Sequence, residues 1–449
     1  MENVTQHYQQ QFTAFQGNGA AAAPAWVNDL RKKGMQLFGA NGFPTTKLED
    51  WKYTNVAAIA KAPFSYKAPF TAVSSETVRS RAIVGTEQFT AVFVNGHFTP
   101  EHSSLQGLPS GMTVETFADA VKNHPDLVQQ HLGSYVKQEK NPFTSLNTAF
   151  MNAGMVVHVE KSVAVEKPLH LLFLSTTTAE GPTATHLRNL IVAEEEASVN
   201  ILLSYVSVGT HTNLTNAVTE VVAKDRSRVE LVKVQRESES AYHVENLHVH
   251  QWTHSTVHVF SLAIGAAIAR NDMSVIIDGP ATECNLNGLY ITSGEQLIDH
   301  HTFMHHIHPD CPSHELFKGI LMDKSRAVFN GKVYVEPEAQ KTDSKQTNRN
   351  LLLSDDAVVD TKPELEIFAD DVKCTHGAAV GGMNDVHSFY LKTRGISHDS
   401  ARGILTVGFA AEVTQKIVHE ALRRHVDLAV VEHLRAKFGT SNLPDIVHG

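Results

Sequence analysis

The 449-residue chain is poor in cysteine: Cys284, Cys311 and Cys374 are the only three, with no Cys-x-x-Cys pair. That excludes a disulfide framework and fits a reducing compartment. Positive charge is short as well, since 38 Lys and Arg stand against 48 Asp and Glu for a formal charge of −10. No basic face is therefore available to nucleic-acid phosphates. Long apolar runs are missing too: the stretch 257–269 contains His258 and Ser261 and is too short to span a bilayer. Residues 1–11 lack the apolar core of a secretory signal. A cytoplasmic protein with neither membrane nor nucleic-acid partner is expected. The chain also lacks Gly-x-x-x-x-Gly-Lys-Ser/Thr, Gly-x-Gly-x-x-Gly, His-Glu-x-x-His and Gly-x-Ser-x-Gly, so it carries no Walker nucleotide site of its own, and any energy input comes from a partner.

The length exceeds one compact core, and two or three units are expected. Residues 1–150 read as mixed and mainly helical, with Trp26, Leu30, Leu37 and Phe38 as an irregular apolar stripe after Pro24. Within them 91–98 alternates like a short strand, and 114–136 returns to helical spacing. From 154 to 391 the texture changes to short Val-, Ile-, Leu- and Thr-rich runs broken by Gly, Asn, Asp or Pro, which is strand patterning. The pattern alone favours a sandwich or barrel over a coiled stack of strands, because no clean repeat period is visible. Ser397 caps a helix whose stripe is Ala401, Ile404, Leu405, Phe409 and Val413, so 397–449 forms a C-terminal helical unit.

Cys374 has His376 two residues on, in Val372-Lys373-Cys374-Thr375-His376-Gly377. On an extended strand Val372, Cys374 and His376 project to one face. Thiolate and imidazole together suit iron, zinc, copper(I) or an iron–sulfur unit better than magnesium or calcium. Two donors do not fill a four-ligand shell, so further ligands come from elsewhere or from another chain. The competing reading is simple packing, the commoner fate of a free cysteine. The densest polar cluster runs from Asp299-His300-His301 through His305, His306, His308, Cys311 and His314. His300, His305, His306 and His308 are candidate metal ligands there, and a metal-dependent enzyme built on 300–314 is the alternative function.

Asn330-Gly331-Lys332-Val333, Ala339-Gln340-Lys341-Thr342-Asp343, Asn350-Leu351-Leu352-Leu353-Ser354, Pro363-Glu364-Leu365-Glu366-Ile367 and Lys373-Cys374-Thr375-His376-Gly377 follow in close order, then Phe389-Tyr390-Leu391 and Arg394-Gly395-Ile396. This series resembles the SufB/SufD family of iron–sulfur cluster assembly scaffolds, most closely over 325–415. Leu48-Glu49-Asp50-Trp51-Lys52-Tyr53-Thr54 looks like the Trp-Lys-Tyr signature of the SufD branch. The resemblance implies a right-handed parallel β-helix over 154–391, with an estimated ~20–25 residues per coil and about ten coils at the ~4.8 Å strand spacing. It implies a non-catalytic scaffold that pairs with a SufB-like chain and docks a SufC-like ATPase on its C-terminal helices. Pairing of the chain with itself in the absence of SufB is the alternative assembly. By resemblance, His376 is a ligand to a nascent iron–sulfur cluster or iron at the SufB interface, with Cys374 in support. Flavin is associated with the family complex, but no flavin motif is legible here.

Overall fold

The computed structural model describes residues 2–439 apart from 19, 67–68, 84 and 179–180. The end of the expected 397–449 unit, from 440 on, lies outside them. Two sheets of ten and nine strands face each other, and from Met155 to Gly381 the chain alternates strictly between them. Every pairing along this run is parallel, for example Tyr242↔Ile268, Ile268↔Leu297 and Leu297↔Arg326. The result is a parallel β-solenoid of about 7 turns, fewer and longer coils than expected.

The coil length is set by paired ten-residue strands and a recurrent turn. Glu196, Arg226, His254, Ala281, Asp310 and Lys341 all adopt positive φ between 54° and 61°, at successive spacings of 27 to 31 residues. Each points its N–H along the stack to a carbonyl of the next coil: Arg226 to Thr253, His254 to Pro280, Asp310 to Gln340 and Lys341 to Asp371. The left-handed conformation thus continues the backbone ladder through the corner, leaving no buried donor unpaired there. The Ala339–Asp343 motif is one such corner.

Inside the solenoid, alternate residues of each strand meet those of the facing sheet. Along the strand Leu297–His306, Ile298, His300, Thr302, Met304 and His306 are buried, between residues of the outer face. Close packing requires glycine where a large neighbour crosses: a Cβ on Gly319 would lie 2.2 Å from the Tyr290 ring and 2.3 Å from Asn350 Oδ1.

The two ends of the stack differ. At the start, the strand Phe89–Val94 adds to one sheet beside Leu169–Thr176, and Met112–Thr116 closes the other by antiparallel pairing with Met155–Val159. At the far end, the last strands Val358–Ile367 and Lys373–Gly381 each pair on one side only. The strand run stops at Gly381 and not near 391. Asn384 accepts hydrogen bonds from the N–H groups of Val386 and His387 and caps a helix, Asp385–Thr393, in which Phe389 and Tyr390 are helical residues.

Both outer faces are covered. The helices His398–Thr414 and Glu420–Phe438 share one apolar core with Val232, Phe260, Leu262, Leu289 and Ile320 of the ten-stranded sheet. Fully buried Lys318 donates to Glu412 at 2.7 Å and sits 3.7 Å over the Phe409 ring. Glu230 accepts from the N–H groups of Val418 and His419 at 2.6 and 2.8 Å, supplying the N-cap that the second helix lacks in its own side chains. These helices are integral to the solenoid's packing and are not a separate appendage.

The opposite face receives the Trp51-Lys52-Tyr53-Thr54 segment. Arg270, 2% exposed, stacks 4.4 Å over Trp51, donates to the Asp50 carbonyl at 2.8 Å and pairs with Asp272 and Asp299 at 2.7 and 2.6 Å. Thr54 donates to the same Asp299 carboxylate. The motif therefore straps the N-terminal segment to the sheet. Arg270→Ala strands two carboxylates under this strap and is expected to cost about 3–5 kcal/mol, read as a lower urea midpoint; an unchanged midpoint would show that the strap is held elsewhere.

Candidate functional site

The last strand, Lys373–Gly381, lies on Asp343–Leu352 with Ser344↔Cys374 and Gln346↔His376 in register. Below them the same columns run Ser313↔Ser344 and Glu315↔Gln346. Ser313, Ser344, Glu315 and Gln346 are all buried in the solenoid interior, so period-two alternation gives Cys374 and His376 inward register positions. Cys374 is half-buried against the interior apolar core, and burial pushes its thiol pKa up. His376 is exposed, because no further coil is stacked above it. A side chain from the interior column thus reaches the surface only at this end.

The last coil and the helix after it also carry exposed apolar residues. Val358, Phe368, Val380, Val386, Phe389 and Tyr390 are all exposed, Phe389 to 67%. Open strand edges beside such a patch form a surface suited to strand addition or to packing by another chain.

The candidate metal residues are dispersed by the same alternation. His300 and His306 both face inward on one strand but stand six residues apart, about 20 Å at the strand rise. His305 faces outward and hydrogen-bonds Glu336 Oε1 at 3.0 Å, while His308 lies beyond the strand end against Asp278 Oδ1 at 3.2 Å. His300 stacks on Tyr290 with ring centroids 5.2 Å apart, and His306 meets Ser313 Oγ at 2.9 Å. Burial lowers both inward imidazoles to about 3. Among the described residues no three His, Cys, Asp or Glu side chains gather to hold a metal ion. The set His300, His305, His306 and His308 is not assembled, because nearness in sequence along a strand separates side chains by face and by length. Elemental analysis of untagged protein is expected to show well under one equivalent of iron or zinc; a full equivalent lost on replacing His305, His306 and His308 together would reinstate the enzyme reading. Outside that cluster, the ring of Tyr135 packs against His248 and His250.

The interior carries a polar column that strand patterning did not reveal. Lys233 donates to Glu245 at 2.5 Å and to Asn271, His243 lies 2.8 Å from Glu237, and Glu315 accepts from Thr302 at 2.7 Å. Desolvation raises Glu315 to about 7. The available signal was polar residues at inward alternation positions, readable only once the coil period is known.

Comparison with known proteins agrees with this architecture. Residues 173–409 match the family described as SUF system FeS cluster assembly, SufBD core domain, and residues 2–171 match the SufBD protein N-terminal region. An iron–sulfur cluster assembly SufBD family protein of Synechocystis is 31% identical over 396 residues, covering 86% of each chain. The iron–sulfur cluster assembly protein SufD of Escherichia coli is 29% identical over 95% of this chain and 96% of its own, and SufD of Bacillus subtilis is 27% identical over 91% and 94%.

Proposed function

The chain belongs to the SufBD family of SUF-system iron–sulfur cluster assembly proteins, and on that premise we propose that it is a SufD-type scaffold subunit, not an enzyme, which offers His376 to a nascent cluster or iron at a joint with a SufB-like chain. The observation that carries this reading is the register of the last coil. His376 ends an inward column at an uncovered stack end, among open strand edges and exposed apolar residues. One imidazole with a supporting thiol leaves the coordination shell open for ligands from a second chain, and an incomplete shell lets the cargo leave.

The energy source is a SufC-like ATPase docked on the C-terminal helices, between which Val418 is 64% exposed. Those helices hold the solenoid through Glu230 and Lys318, so movement of an attached ATPase is transmitted to the sheet. Its effect on the joint is a shift between closed and open populations and requires differential contacts in the two states. His376→Ala is expected to abolish most cluster-enzyme activity in a strain that depends on this pathway, with folding and partner co-purification unchanged; Cys374→Ala is expected to be milder. Normal activity in the His376→Ala strain would remove the ligand role, and capture of a second copy of this chain in place of a SufB-like partner would redirect the assembly.

A further inference from the structure

Directly beneath His376, the solenoid contains a built polar site. Gln346 is 2% exposed and Glu315 3% exposed. Gln346 Nε2 donates to Glu315 Oε2 at 3.4 Å, and the same carboxylate oxygen accepts from Thr302. Gln346 Oε1 is fully covered and accepts no hydrogen bond, and Glu315 Oε1 is in the same condition. A buried acceptor without a donor is costly and calls for a role. The opposite sheet makes room for this amide: a Cβ on Gly331 would lie 2.4 Å from Gln346 Nε2 and 2.6 Å from Cδ. The glycine of the Asn330-Gly331 motif is thus the space in which the Gln346 side chain lies.

We propose that Gln346 is a positioning residue for His376: its free amide oxygen accepts the imidazole N–H from the coil above, while Glu315 anchors the amide nitrogen from the coil below. A neutral imidazole carries one N–H, so accepting it selects the tautomer and leaves the other ring nitrogen free to ligate. The amide's two ends are unlike, so Glu315 fixes which end meets His376. A cluster ligand held in this way has a fixed donor atom before any cargo arrives.

The inference deepens the reading of His376 as a ligand and rests on it for its purpose, but its test does not use cluster assembly. The full chain, labelled with ¹⁵N-histidine, is observed at pH 8 by long-range ¹H–¹⁵N correlation, with the His376 signals assigned by their loss in His376→Ala. One tautomer is expected to dominate about five- to tenfold, the ratio one buried hydrogen bond sustains. Gln346→Met, which fills the space without an acceptor, is expected to return the mixture of free histidine. Gly331→Ala displaces the amide without removing it and gives a second route to the same loss should Gln346→Met fold poorly. A wild-type ratio equal to that of free histidine, or an unchanged ratio in folded Gln346→Met, overturns the inference. A Gln346-dependent tautomer together with normal cluster assembly in His376→Ala would leave the positioning intact and remove only the ligand role.

Discussion

A chain ended at Gly395 is expected to be recovered as aggregate or as an expanded, dye-binding state. The reason lies on the outer face of the ten-stranded sheet. Leu202, Val232, Val234, Phe260, Leu262, Ile264, Leu289, Ile291, Ile320 and Met322 form one core with the helices His398–Thr414 and Glu420–Phe438. Each fully buried side chain of this kind is worth about 1.5–3 kcal/mol, so uncovering five is already comparable with a typical net stability of about 5–15 kcal/mol. Truncation also leaves Lys318 without Glu412. Sequence patterning marked a C-terminal helical unit with its own apolar stripe, and the structure shows that this stripe packs largely on the sheet. The check is the soluble fraction of residues 1–395, its size and its binding of an apolar dye, with and without the segment 396–449 co-expressed. A monomeric truncated chain that unfolds cooperatively near the full-length midpoint would show that the sheet is stable uncovered.

What sequence could and could not show follows from the length scale of each signal. The placing of Cys374 and His376 on one face was legible, because alternation is a two-residue property. Of the stripe Ala401, Ile404, Leu405, Phe409 and Val413, only Ile404, Phe409 and Val413 join the core with the sheet, while Val407 and Ala410, which do so too, were missed. The coil period was hidden, since its marker is a backbone conformation carried by Glu196, Arg226, His254, Ala281, Asp310 and Lys341, which share no side-chain type. Glycine or asparagine at those corners would have exposed the repeat. The cluster 300–314 misled because short sequence distance was read as proximity, whereas a strand sends neighbours to opposite faces. The Trp51 segment was recognisable as a signature, but its role depends on Arg270 and Asp299, more than 200 residues away in the chain.

Stability is expected to fall steeply as the pH drops from 7 to 5, well before ordinary carboxylates are protonated. Seven histidines are buried among the described residues, and six of them are held neutral: His131, His170, His186, His248, His300 and His306. Desolvation lowers His131 to about 4 and the other five to about 3, against 6.5 in the open chain. The unfolded chain therefore binds more protons than the folded one below pH 6.5. The contribution of these residues is fully present above that value and is lost progressively as pH falls towards their folded values. Each contributes up to about 1.4 kcal/mol per pH unit in that window. Two groups act the other way: Glu315, raised to about 7, and His243, raised by Glu237 and Glu245 against the desolvation that lowers it, both take up protons more readily in the folded state. Between pH 6 and 5 Glu315 offsets about one of the six, whereas His243 is charged in both states there and offsets almost nothing, leaving a net loss of roughly 6 kcal/mol per pH unit. Urea titrations at pH 8, 7, 6 and 5 should show a falling midpoint at constant slope, with the folded state lost near pH 5. His300→Gln, which removes one such group, should reduce the pH dependence by about one proton. A midpoint that stays level from pH 7 to pH 5 would mean that these imidazoles are hydrated in the folded protein, and that the packed polar interior of the solenoid is wrongly drawn.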